Sequence, residues 1–141
     1  VLKGNTPIVA DVEMICVGLS KPRLAHFGLT THHYISDADV IEQAKAENTT
    51  RAVQAMRKAQ REGKLDGAIV GIGNAPTALI ELVRLIREEG VRPALVIGMP
   101  VGFVSAVESK DLLMTVNEVP WVAIKGRKGG STLVVAAIHA L

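Results

Sequence analysis

Chemistry in this sequence could reside in four histidines, one cysteine and three glycine-rich segments. His32 and His33 are adjacent, and neighbours in an extended segment point to opposite faces. The pair therefore cannot chelate one metal from one side. No Cys or acidic partner stands at ligand spacing, so no metal site is expected. Cys16 has no recognisable base nearby and reads as a small buried hydrophobe. His139 lies among apolar residues and reads as structural.

The glycine-rich segments carry more information. They are Gly71-Ile-Gly-Asn-Ala-Pro-Thr77, Gly98-Met-Pro-Val-Gly-Phe-Val-Ser105 with Glu108-Ser-Lys110 behind it, and Gly126-Arg-Lys-Gly-Gly-Ser-Thr132. Each leads into a helical pattern. Exposed N–H groups at a helix N-terminus favour anions, and glycine lets the main chain approach a ligand closely. Any one of them could be an ordinary turn; three in register, one bearing Arg127 and Lys128, point to an anionic ligand. Arg51 opens a helix, where the dipole disfavours a cation. It is either a solvated charge or a cation held near a carboxylate-rich ligand. Nucleotides fit poorly. Gly71-x-Gly73 begins a dinucleotide fingerprint, but Pro76 stands at the third glycine position and no acidic residue ends the next strand. Gly129-Gly130-Ser131 lacks the lysine of a Walker loop.

These turns need a scaffold, and the hydrophobic pattern supplies one. Pro7–Ala10, Thr31–Ser36, Gly67–Gly73, Ala94–Ile97 and Trp121–Ile124 read as strands. The third is apolar on both faces, as a central parallel strand must be. Helices are expected from Asp37 to about Glu62 with a break near Asn48-Thr49-Thr50, and from an Asn74 cap to a Gly90 stop, with Pro76 in the first turn. Two more are expected from Ser105 to about Met114 and from Thr132 to Leu141, the latter capped by Ser131. Strands alternating with helices predict a single doubly wound α/β domain over residues 1–141, with five mostly parallel strands and helices on both faces. In such sheets the ligand crevice lies beyond the carboxyl ends of the strands, where all three glycine-rich turns fall.

Composition narrows the partners. Sixteen Lys and Arg against fourteen Asp and Glu leave a net charge of +2, and aromatics are 3% of the chain. Neither the basic excess nor the stacking surfaces of a nucleic-acid binder are present. No apolar run is long enough to span a bilayer, so no membrane partner is expected. The lone cysteine and the absence of a secretory signal predict a reducing, cytoplasmic setting. Both ends, Val1 and Leu141, look cut.

At the turns the sequence resembles the precorrin-8X methylmutases (precorrin isomerases) of cobalamin biosynthesis. The matching blocks are Asp11-Val-Glu-Met14, Tyr34-Ile-Ser-Asp37, Thr50-Arg51, Gly73-Asn-Ala-Pro-Thr-Ala-Leu79, Gly98-Met-Pro-Val-Gly-Phe-Val-Ser105 with Glu108-Ser-Lys110, and Arg127-Lys-Gly-Gly-Ser131. The resemblance implies a flavodoxin-like fold, a homodimer, no cofactor, and migration of a methyl group from C11 to C12 of the macrocycle. The substrate would be precorrin-8X or cobalt-precorrin-8, and the product hydrogenobyrinic acid or its cobalt equivalent. It assigns substrate contact to Arg51, Gly73, Asn74, Ala75, Pro76, Thr77, Gly98, Pro100, Val101, Gly102, Phe103, Ser105, Glu108, Arg127, Gly129, Gly130 and Ser131. The family's catalytic histidine, a proton donor, is expected in a helical segment upstream of Val1, so no catalytic residue is assigned here. Asp39 departs from the family, which commonly has a basic residue there. A mutase-like protein that binds a corrinoid without rearranging it is the alternative.

Overall fold

The computed structural model describes residues 6–102 and 104–141. Short aliphatic runs form strands β1 (Pro7–Ala10), β2 (Thr30–His32), β3 (Ile69–Ile72), β4 (Leu95–Gly98) and β5 (Trp121–Ala123). They make one sheet in the order β2-β1-β3-β4-β5, and every neighbouring pair is parallel. The direction of winding reverses between β1 and β3, where open α/β sheets place their ligand crevice.

Side-chain alternation divides the core into two layers. Val9, Val70, Ile72 and Val96 face helices α3 (Ala38–Glu47), α4 (Arg51–Arg61), α5 (Pro76–Glu88) and α6 (Ala106–Met114). Ile8, Ala10, Ile69 and Ile97 face α1 (Glu13–Gly18) and α7 (Ser131–His139), with α2 (Lys21–Phe27) beside them. In α5, Leu79, Leu82, Val83 and Ile86 recur at helical spacing and are all at most 2% exposed. Each such side chain contributes about 1.5–3 kcal/mol of burial, which is why this helix keeps its place over β3 and β4. At the far end of α5, Gly90 turns left-handed at φ 72 and lets Val91 N–H reach Leu85 O at 3.2 Å.

Several boundaries differ from the expected ones. The strand expected over Thr31–Ser36 ends at His32. Tyr34–Asp37 instead forms a turn, with Asp37 N–H on Tyr34 O at 3.1 Å and the buried Tyr34 hydroxyl on Glu62. The break in the long helix falls where expected: Asn48 is left-handed at φ 53, and Thr50 Oγ1 caps α4 by accepting from Val53 N–H at 3.1 Å. Asn74 does not cap α5; Ala75 holds that position without a side-chain bond. Ser131 is the first residue of α7 rather than its cap, which is Gly130. Helices α1 and α2 were not foreseen, although α2 has readable signals: Ser20 as cap, Pro22 in its first turn, and left-handed Gly28 at its end.

Candidate functional site

The carboxyl ends of β3, β4 and β5 bring the three glycine-rich turns into direct contact. A Cβ on Gly73 would stand 2.7 Å from Ser131 Cα, so the turn after β3 lies against the start of α7. A Cβ on Gly129 would overlap the carbonyl oxygen of Met99, and Gly130 N–H donates to that same oxygen at 2.8 Å. Only glycine allows those approaches. Met99 N–H in turn donates to Ile72 O at 2.8 Å, which continues the β3–β4 ladder into the turns.

Asp11 organises the base of this end. It follows β1 directly, is 1% exposed, and accepts from the N–H groups of Gly73 at 3.0 Å, Asn74 at 2.9 Å and Ala75 at 2.7 Å. It therefore supplies the acceptor that Ala75 cannot. Burial pushes its carboxyl pKa up, and the three N–H donors pull against that without reversing it. These are the N–H groups the sequence offered to an external anion. An internal carboxylate already holds them.

Anion-favouring capacity remains elsewhere at the same end. Among the described residues, neither Ser105 at the cap of α6 nor Gly130 at the cap of α7 provides a side-chain capping bond. Ser105 is left-handed at φ 64, a strained backbone for a residue with a Cβ. Arg127 and Lys128 are exposed on the turn before α7, and Glu108 is exposed in the first turn of α6. Arg51 is brought in from a distant part of the chain. Its preceding residue, Thr50, sets Oγ1 3.2 Å from Thr77 Oγ1, so the starts of α4 and α5 stand side by side. A groove of ≈ 480 Å³ opens beside Arg51, lined also by Lys45, Asn48 and Thr49.

The remaining site residues divide by placement. Asn74 and Val101 are exposed, Ala75, Pro76, Thr77 and Gly102 are half-buried, and Pro100 is buried. Gly98 sits beneath Leu79 and Leu113, where it serves the packing of α5 and α6 rather than the crevice. Phe103 lies outside the described residues.

The histidines and the cysteine take separate paths. His32 lies 3.1 Å from Thr30 Oγ1 and stacks on Tyr34. Burial and then the charge of Lys64 lower its pKa, against Glu62. Those charged neighbours follow the end of α4. His33 follows the strand, and its Nδ1 is buried without a hydrogen-bond partner among the described residues. His139 is structural: its Nε2 accepts from Ser20 N–H at 3.0 Å and joins α7 to the start of α2. Cys16 is half-buried, with burial raising its thiol pKa. Among the described residues no three His, Cys, Asp or Glu side chains gather as metal ligands, and no helix is long and apolar enough to cross a membrane.

Polar networks behind the site fix the helices that carry it. Lys58 on α4 bonds Asp37 at 2.8 Å and Asp39 at 2.9 Å, which gives the unusual acid at position 39 a partner. Burial and the neighbouring Glu62 push the Tyr34 phenol up to about 12. Glu81 on α5, 5% exposed, receives Arg84 Nη2 at 2.6 Å and Arg57 Nε of α4 at 3.0 Å. Burial raises its carboxyl, but the two arginines together outweigh burial and hold it below the usual range.

A wholly parallel, doubly wound α/β sheet in this strand order, with glycine-rich turns meeting at the carboxyl end, defines a flavodoxin-like ligand-binding domain. Within that class the chain belongs to the precorrin-8X methylmutase family (CbiC), whose model matches residues 1–141. It is 51% identical over 145 residues to the cobalt-precorrin-8 methylmutase of Leptospira interrogans serogroup Icterohaemorrhagiae serovar Lai (strain 56601), covering 99% of this chain and 66% of that protein. It is 54% identical over 140 residues to the cobalt-precorrin-8 methylmutase of Priestia megaterium, covering 99% of this chain and 61% of that one. A solved precorrin-8x methyl mutase from Thermus thermophilus superposes with a TM-score of 0.87 at 49% identity, over 96% of this chain and 65% of its own. The chain thus spans somewhat less than two thirds of the length of these relatives.

Proposed function

We propose that the protein is an isomerase that moves a methyl group from C11 to C12 of precorrin-8X or cobalt-precorrin-8. The product is hydrogenobyrinic acid or its cobalt equivalent. The observation that carries this reading is the meeting of three family-matching turns at one end of the sheet, with Arg51 beside them. A macrocycle fringed by acetate and propionate groups suits that end. Arg127, Arg51 and the uncapped starts of α6 and α7 favour carboxylates, each charge-assisted contact contributing about 1.5–3 kcal/mol.

Methyl migration on a conjugated ring is eased by protonating a ring nitrogen, which draws electron density from the migration origin. Histidine is suited to that by its pKa. The donor in this reading is the histidine that the family resemblance assigns upstream of Val1; this chain's own residues bind and orient the ring. The reaction is an isomerisation, so atoms and electrons balance without a cofactor. The protein is further read as a cytoplasmic homodimer. Exposed Met14 and Val17 on α1 and Leu133 on α7 support self-association, and sedimentation of a monomer at micromolar concentration would overturn that part.

The test is a titration of the chain with hydrogenobyrinic acid and, separately, its cobalt counterpart, followed by the macrocycle's visible absorbance. Binding of at least one with a spectral shift is expected. The full-length protein should then convert the matching precorrin. Binding without conversion would favour the corrinoid-holding alternative, and no binding of either macrocycle would overturn the reading.

A further inference from the structure

Lys110 on α6 is 0% exposed. The two carboxylates buried to a similar degree are answered fully, Asp11 by three N–H groups and Glu81 by two arginines. Lys110 has no carboxylate at ion-pair distance among the described residues. Its Nζ instead donates to the main-chain carbonyl of Lys128 at 2.7 Å. Burying an ammonium costs stability that a methionine of similar length would not. Burial pushes its pKa down, yet charged or neutral it keeps an N–H for that carbonyl.

The bond lands on a segment that needs it. The turn from β5 to α7 passes exposed Lys125 and then carries exposed Arg127 and Lys128 between glycines at φ 90 (Gly126) and φ 126 (Gly130). Its later part is fixed by Gly129 against Met99 and by Gly130 N–H on Met99 O. Lys110 holds the part that carries Arg127. We propose that Lys110 is a positioning residue, a buried tether that sets the Arg127 segment in the geometry that grips a carboxylate of the macrocycle. This rests on the functional reading above and extends it to a residue that need not touch the ligand.

The test compares the wild-type chain with Lys110→Met, Lys110→Gln, Arg127→Ala and the Lys110→Met/Arg127→Ala double variant. Three measurements are made on each: urea unfolding, tryptic cleavage sites by mass spectrometry, and affinity for hydrogenobyrinic acid or its cobalt form. Lys110→Met should unfold at the wild-type urea concentration or higher. It should be cut at least tenfold faster at Lys125, Arg127 or Lys128 without faster cutting elsewhere. Its affinity should fall about tenfold, as one lost charge-assisted contact would produce. The double variant should bind no more weakly than Arg127→Ala alone, because the tether acts through that arginine. Lys110→Gln retains a donor and should recover much of the affinity; it also keeps the test decisive if the methionine variant fails to fold. Unchanged cleavage and affinity in Lys110→Met, or losses that add in the double variant, would overturn the inference about Lys110 alone. A wild-type chain that binds neither macrocycle would overturn the functional reading, and the role of Lys110 with it.

Discussion

Replacing Asp11 probes the base of the site most directly. Its carboxylate is 1% exposed and accepts three main-chain N–H groups, of which only that of Gly73 is in a fully buried bond. In Asp11→Ala the Gly73 donor is stranded, at about 1–3 kcal/mol for a buried unsatisfied group. The N–H groups of Asn74 and Ala75 are nearer solvent and can be rehydrated, as at an uncapped helix start, for about 0.5 kcal/mol each. Burial, which pushes the Asp11 pKa up, offsets part of what the bonds contribute. The net loss expected is about 2–3 kcal/mol, or a fall of roughly 6–10 °C in Tm for a domain of this size. Asp11→Asn keeps one acceptor but turns an NH2 toward a donor, so about half that loss is expected. The assay is urea unfolding of the three proteins with a shared slope, followed by titration with the macrocycle. Affinity should drop as well, because the turn after β3 carries the start of α7 against Gly73. An alanine variant within 0.5 kcal/mol of wild type would show that the N–H groups find water unaided and that Asp11 does not organise the turn.

Other substitutions separate binding from stability. Arg127→Ala should weaken macrocycle binding by about one to two powers of ten; an unchanged absorbance titration would refute it. Glu81→Gln removes the negative charge shared by Arg57 and Arg84 and turns an NH2 toward them, and should cost about 2 kcal/mol in urea unfolding at pH 7. Because Glu81 is held below its usual pKa in the folded protein, its contribution is complete above the unfolded value near pH 4.5. It is lost as pH falls through the folded one. The gap between wild type and Glu81→Gln should therefore close on acidification, and a gap that widens would contradict the assignment. Ser105→Gly relieves a left-handed backbone at φ 64 and should raise stability by about 0.5–1 kcal/mol; a drop in Tm would show that the serine side chain contributes more than its strain costs.

The parts of this molecule readable from sequence are those set by local pattern. Gly67–Gly73 announces a central strand because it is apolar on both faces. The interval Asn48–Thr50 announces a helix break because Asn tolerates αL and Thr caps. The short helices α1 and α2 escaped notice because six or seven residues hold too few periods to show an apolar stripe, although Ser20, Pro22 and Gly28 mark the ends of α2. Tyr34-Ile35 looked like strand because both residues have high β propensity. A hydroxyl contact to Glu62, 28 residues away, decided otherwise. Asp11 and Lys110 fall within the family-matching blocks, but their roles are not legible in the sequence. Their partners lie 62 to 64 and 18 residues distant and are main-chain atoms with no side-chain signature.

Asp11 as an internal acceptor changes how the site must recognise an anion. Four helix starts, those of α4, α5, α6 and α7, lie toward one end of the sheet, and a helix start by itself offers partial positive charge to a ligand. The structure withdraws two of them. Thr50 satisfies a donor of α4, and Asp11 already accepts from the N–H groups of Gly73, Asn74 and Ala75 at the start of α5. Under the proposed function, recognition then falls to the starts of α6 and α7 and to Arg127 and Arg51, leaving the Gly73–Thr77 turn to shape the floor. Glycine recurs at 129 and 130 for two different reasons. A Cβ at 129 would overlap the Met99 carbonyl and hold the start of α7 away from Met99 and Gly73, whereas Gly130 sits at φ 126, where a side chain would be strained.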